Sequence, residues 1–120
     1  MKTLALCLTL MLLGAPAFAH AFLDNALPPV GGVVRTAPTK LELSFTEPLD
    51  LGQSSVKLLS ASGATVALGQ PVSAPGDQSL MTVPINERLS AGVYRVFWRA
   101  TAQDGHRTFG DYKFTVAPAL

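Results

Sequence analysis

Sulfur is scarce in this chain. Of its 120 residues one is cysteine, Cys7, and three are methionine. A single cysteine cannot close an intramolecular disulfide, and zinc cages built on several thiolates are excluded with it. Charge is also sparse. Charged residues make up 14% of the chain, and nine basic side chains against eight acidic ones give a formal net charge of +1. So even a mixture supplies no electrostatic case for nucleic acid or for an anionic membrane surface. Histidine occurs twice and tryptophan once. The one long apolar run, near the start, falls short of the roughly 20 residues that span a bilayer.

That run has a different signature. Met1-Lys2-Thr3 is a short positive segment, residues 4–13 are apolar except for Thr9, and Ala17 and Ala19 occupy the −3 and −1 positions of an A-x-A cleavage site. The pattern predicts a cleaved signal peptide over residues 1–19 and an exported single domain over residues 20–120. A cut after Ala17 ranks lower, because it places Pro16 beside the scissile bond. Cys7 lies too early, and lacks the preceding small residue, to carry a lipid. Cleavage before His20 removes Cys7, Met1, Met11 and Lys2, leaving Met81 as the only sulfur and eight basic residues facing eight acidic ones. A domain of about 100 residues buries roughly two-thirds of its unfolded surface, enough to fold on its core without disulfides.

Alternation, not helical periodicity, runs through the exported part. In residues 40–45, Leu41, Leu43 and Phe45 share one face. In residues 93–100, Tyr94, Val96, Trp98 and Ala100 share a face opposite Val93, Arg95, Phe97 and Arg99. In residues 111–116, Tyr112, Phe114 and Val116 oppose Asp111, Lys113 and Thr115. Shorter strands are predicted over residues 21–24, 55–59, 64–68 and 80–83. Turn signals such as Pro28-Pro29, Gly31-Gly32, Pro75-Gly76-Asp77 and Asp104-Gly105 separate them. About seven short strands predict an all-β fold, a Greek-key sandwich of immunoglobulin-like connection.

The two histidines carry the chemistry. His20 is the predicted new N-terminus, and His106 ends the Asp104-Gly105-His106 loop that follows the strand containing Trp98. A free N-terminal histidine offers its α-amine and its imidazole Nδ1 to one metal, closing a six-membered chelate. The amine, with an ordinary pKa of about 7.7–8.0, yields its proton to a strongly bound ion near neutral pH. Asp104 and His106 lie two apart, so an extended backbone sends both side chains the same way. Three nitrogens and one oxygen suit tetragonal Cu(II), whereas Cu(I) seeks soft sulfur that Met81 alone does not provide. The bland readings stand beside this one: Asp-Gly is a common turn, and a histidine after it is often merely solvated. Trp98 reads as core and Met81 as a strand residue. Glu47, beside Pro48, reads as a strand-end acid or as a group orienting His20. Arg107 reads as a surface residue or a charge that tunes the site.

The signal sequence ending before histidine, Phe45-Thr46-Glu47-Pro48, the Gly92-x-Tyr94-x-Val96-x-Trp98-Arg99 strand, Asp104-Gly105-His106 and Phe114-Thr115-Val116 together resemble the CopC family of periplasmic copper-resistance proteins. The resemblance covers essentially all of residues 20–120 in the same order. It implies an immunoglobulin-like or cupredoxin-like β-sandwich or barrel, located in the periplasm and without catalytic turnover. It implies one Cu(II) per chain, held by the amine and imidazole of His20 with Asp104 and His106. The role so implied is that of a monomeric buffer, or of a carrier to an inner-membrane copper transporter of the CopD kind. The methionine-rich segment that gives some members a Cu(I) site has no counterpart here, so no Cu(I) methionine site is expected. Ala102 and Arg107 stand where the family often has serine and proline. Two other functions compete: a copper oxygenase built on a histidine brace, and a metal-free immunoglobulin-like interaction module. Asp104 argues against the first, because it would fill the equatorial position that oxygen needs.

Overall fold

A computed structural model describes residues 20–119. The expected signal segment, Cys7 included, lies outside them, as does Leu120. The strands are β1 (Leu23–Leu27), β2 (Val33–Val34), β3 (Lys40–Phe45), β4 (Ser55–Leu59), β5 (Val72–Ala74), β6 (Asp77–Pro84), β7 (Gly92–Thr101) and β8 (Arg107–Val116). They form two four-stranded sheets, ordered β1-β3-β6-β5 and β2-β8-β7-β4. The chain changes sheet at every step from β1 to β5, then closes with the antiparallel hairpins β5-β6 and β7-β8. The all-β expectation holds, and the sheets stay separate as a sandwich and do not close into a barrel.

Alternation explains the core. Leu41, Leu43 and Phe45 of β3 and Met81 and Val83 of β6 are buried on one inner face; Tyr94, Val96, Trp98, Ala100, Tyr112, Phe114 and Val116 are buried on the other. Each such large side chain contributes about 1.5–3 kcal/mol by leaving water. The sheets meet through aromatic pairs as well as aliphatic packing. The Phe45 and Trp98 rings lie 5.2 Å apart edge to face, and Tyr94 stacks on Phe114 at 5.5 Å. Trp98 is accommodated because Gly110, its partner on β8, has no side chain: a Cβ there would lie 2.6 Å from the indole.

Four local expectations need correction. The first strand begins at Leu23, not Ala21, with a register shift between Leu23 and Asn25. Residues 64–68 form no strand. Val66 turns inward, but the segment forms no continuous ladder. It is held by the isolated bridges Leu59–Thr65 and Leu68–Ile85, by backbone hydrogen bonds such as the Val66 amide to the Leu58 carbonyl, and by the Glu87 carboxylate, which accepts the Ala67 amide. Conversely, β2 and β5 were not expected, being only two and three residues long, too short to show a period. The strand expected at residues 80–83 extends back to Asp77, since its exposed half pairs only with the short edge strand β5.

Candidate metal centre

The β7-β8 hairpin is the longest pairing in the fold, matching Gly92 with Val116 through to Thr101 with Arg107. Its connecting loop is closed by hydrogen bonds from the Ala102 amide to the His106 carbonyl and from the Gly105 amide to the Ala102 carbonyl, both 2.9 Å. Gly105 takes φ +94°, a backbone region that disfavours any side chain. The base of the loop is tied to the segment before β4. Asp50 donates its amide to the Thr101 carbonyl (2.8 Å), while the Thr101 hydroxyl donates to the Gln53 carbonyl (2.7 Å).

Within the loop Asp104 grips His106 twice. Its Oδ1 accepts the His106 amide at 3.0 Å, and its Oδ2 faces the His106 Nδ1 at 3.0 Å. These contacts, first the backbone and then the side-chain hydrogen bond, hold the Asp104 carboxyl below the usual carboxylate range, and the nearby His20 adds to the effect. With Nδ1 turned to the carboxylate, Nε2 is the nitrogen His106 presents elsewhere.

His20 comes to this loop from the other end of the domain. Thr46, just after β3, clamps the backbone ahead of β1: its hydroxyl donates to the His20 carbonyl (3.2 Å) and accepts from the Phe22 amide (3.0 Å). The Thr46 amide in turn donates to the Phe22 carbonyl (2.9 Å). Thr108 of β8 donates its hydroxyl to the carbonyl of Ala21, which is fully buried. Ala21 thus acts as an anchor, and the His20 ring settles 5.1 Å from the His106 ring, with the Phe22 ring 5.9 Å away.

All three expected site residues therefore gather at one end of the sandwich. Among the described residues, however, no three His, Cys, Asp or Glu side chains form a ready metal cage. Asp104 is turned onto His106, and the fourth expected donor is a backbone nitrogen, which in the uncut chain is an amide joined to Ala19. Glu47 is half-buried and makes no hydrogen bond or ion pair with His20, so a direct orienting contact is absent among the described residues. Arg107 is exposed and points to the outer face of its sheet. Met81 is fully buried, and Trp98 packs in the core. Sequence reasoning missed Thr46 and Thr108. Thr46 lies in the Phe45-Thr46-Glu47-Pro48 stretch singled out above, but nothing in the pattern says that a hydroxyl there serves as a clamp.

Comparison with known proteins shows the family. The model of the CopC domain family matches residues 23–117, a span that includes Asp104 and His106. Copper resistance protein C of Escherichia coli is 39% identical over 106 residues, which cover 83% of each chain. The copper transport protein CutJ of Bacillus subtilis (strain 168) is 30% identical over 114 residues, 95% of this chain but 21% of that one, so this chain spans about a fifth of that relative's length. The crystal structure of PcoC, a methionine-rich copper resistance protein from Escherichia coli, aligns with a TM-score of 0.74 at 36% identity, covering 82% of this chain and 99% of that one. By fold, by sequence and by the extent of the match, this chain belongs to the CopC family of copper-resistance proteins.

Proposed function

We propose that the chain is cut before His20 and then holds one Cu(II) in the periplasm, as a buffer or as a carrier to a membrane copper transporter. The observation that carries this is the meeting of His20 and His106, rings 5.1 Å apart, at a loop that already contains an ionised carboxylate. Cleavage converts the His20 amide into an amine, adding a donor on the backbone that Thr46 and Thr108 hold in place. The donors are then the His20 amine and imidazole, the His106 imidazole through Nε2, and Asp104. A carboxylate has about four lone-pair sites, so Asp104 can steady His106 and still supply an oxygen. Nitrogen and oxygen donors in this proportion favour Cu(II). Met81, buried in the core, offers no thioether to Cu(I). Among the described residues no helix is long and apolar enough to cross a membrane, and a carrier would meet its transporter through its surface.

Intact-mass measurement of the exported protein, followed by competition of its copper against a chelator of moderate strength, tests the proposal. A chain starting at His20 should retain one Cu(II), and His106→Ala should release it without unfolding. A correctly cut chain that yields its copper at once would overturn the reading.

A further inference from the structure

The formal charge of residues 20–120 is zero, yet the fold sorts it. Outward positions of β4, β7 and β8 carry Lys57, Arg95, Arg99, Arg107 and Lys113, all exposed. These are five of the eight basic residues left when Lys2 is set aside. The one carboxylate on this face is Asp111, 3.6 Å from Arg95. The other four cations form no ion pair among the described residues.

Two features set this face apart from an ordinary solvated sheet. Arg95 and Lys113 stand directly opposite each other on neighbouring strands, an arrangement of like charges that costs stability. Phe109, 79% exposed, projects opposite Arg99, and Phe97 lies half-buried beside Lys57 with the Arg95 guanidinium 5.8 Å over its ring. Between them a groove of about 540 Å³ is lined by Ser55, Lys57, Phe97, Arg99 and Phe109. Asp111 and the Phe97 ring offset part of this cost at Arg95, but Arg99, Lys57 and the exposed Phe109 have no such compensation among the described residues. Local rules broken together in this way point to a functional surface.

We propose that this face docks an acidic, partly apolar polypeptide segment of a protein partner. Positions 95 and 99 lie about 13 Å apart on an extended strand, with Phe97 midway. A partner strand with carboxylates four residues apart and an apolar side chain between them matches that spacing. The groove and the embedded Asp111 favour a shaped ligand over the flat surface of an anionic bilayer. A second copy of this chain fits poorly: on the opposite sheet Glu42 is paired with Lys40 and Asp77 is bonded to Ser79. Arg107 follows His106 directly, so the partner would sit beside the candidate metal centre. That adjacency rests on the copper reading; the docking itself does not.

The test uses the metal-free protein, so its outcome is independent of copper. Three probes are titrated and followed by amide NMR: a peptide of repeating Glu-Ser-Leu-Ser units, phosphatidylglycerol vesicles and phosphatidylcholine vesicles. The peptide is expected to shift resonances of Lys57, Arg95, Phe97, Arg99 and Phe109, and to lose at least about tenfold in affinity in Arg99→Glu or in 0.5 M salt. Salt dependence and shift mapping on the unaltered chain keep the test decisive if the variant misfolds. No peptide binding, shifts centred on the other sheet, binding to phosphatidylglycerol alone, or self-association through this face would each overturn the proposal.

Discussion

The rings of His20 and His106 lie 5.1 Å apart at an interplanar angle of 72°, although the residues come from opposite ends of the domain. Neither histidine is placed by its own contacts alone. His106 is fixed by Asp104 within a hairpin loop, and His20 by threonine hydroxyls acting on the backbone beside it. The first link is local and the second tertiary.

Asp104→Asn separates charge from shape. The amide oxygen can still accept the His106 backbone N–H, so the loop should persist while Cu(II) affinity falls by about 10–100-fold. In the metal-free protein, the lowered Asp104 pKa means that its stabilising contribution is complete above the ordinary carboxylate value of about 3.9. It is lost as pH falls through the lowered value. Thermal melts from pH 7 to 2 should show the unaltered chain losing this margin over the asparagine variant only in acid. Parallel curves would contradict the assigned contacts.

Gly110→Ala places a methyl 2.6 Å from the Trp98 ring. The indole must move against Phe45, and overpacking of this kind costs about 1–3 kcal/mol. For a domain of this size each kcal/mol lowers Tm by roughly 4–8 °C. Calorimetry and Trp98 fluorescence should both respond, and an unshifted melt would mean that the close packing is not tight.

Tyr112 has a buried hydroxyl that meets no hydrogen-bond partner among the described residues, and burial pushes its ionisation upward. Above about pH 10 the unfolded chain gives up this phenolic proton while the folded chain keeps it, so stability falls as pH rises. Tyr112→Phe is expected to be neutral or about 1 kcal/mol more stable at pH 7, and to flatten the alkaline limb of the stability curve. A variant less stable by several kcal/mol would show that the hydroxyl is satisfied.

Much of this was legible in the chain. Residues 40–45 and 55–59 alternate cleanly and are strands to the residue, because residues 40–44 pair with β6 and Phe45 with β1, while residues 55–59 pair throughout with the central β7. Residues 64–68 alternate too, but Val66 is drawn in beside Leu58 without a ladder, and hydropathy alone does not distinguish the two cases. The residues proposed for the metal were named from donor chemistry, and what the structure adds is that the two histidines, His20 and His106, and Asp104 lie together. The Thr46 and Thr108 clamps could not be named in this way, because a threonine bonded to backbone looks like any strand threonine. The charged face was hidden for a different reason. A net charge near zero says nothing of which strand faces carry the cations, and sheet order alone brings Lys57 beside β7.

The central claim is that signal cleavage makes the ligand set. It is tested most directly by placing one alanine ahead of His20 in a protein that otherwise starts at His20, which moves the free amine off the chelate and leaves every side chain as it was. The expected result is a loss of Cu(II) affinity by orders of magnitude and a changed copper EPR spectrum, with the thermal melt of the metal-free protein unaltered. An unchanged spectrum and affinity would contradict the account, because copper would then be held without the His20 amine.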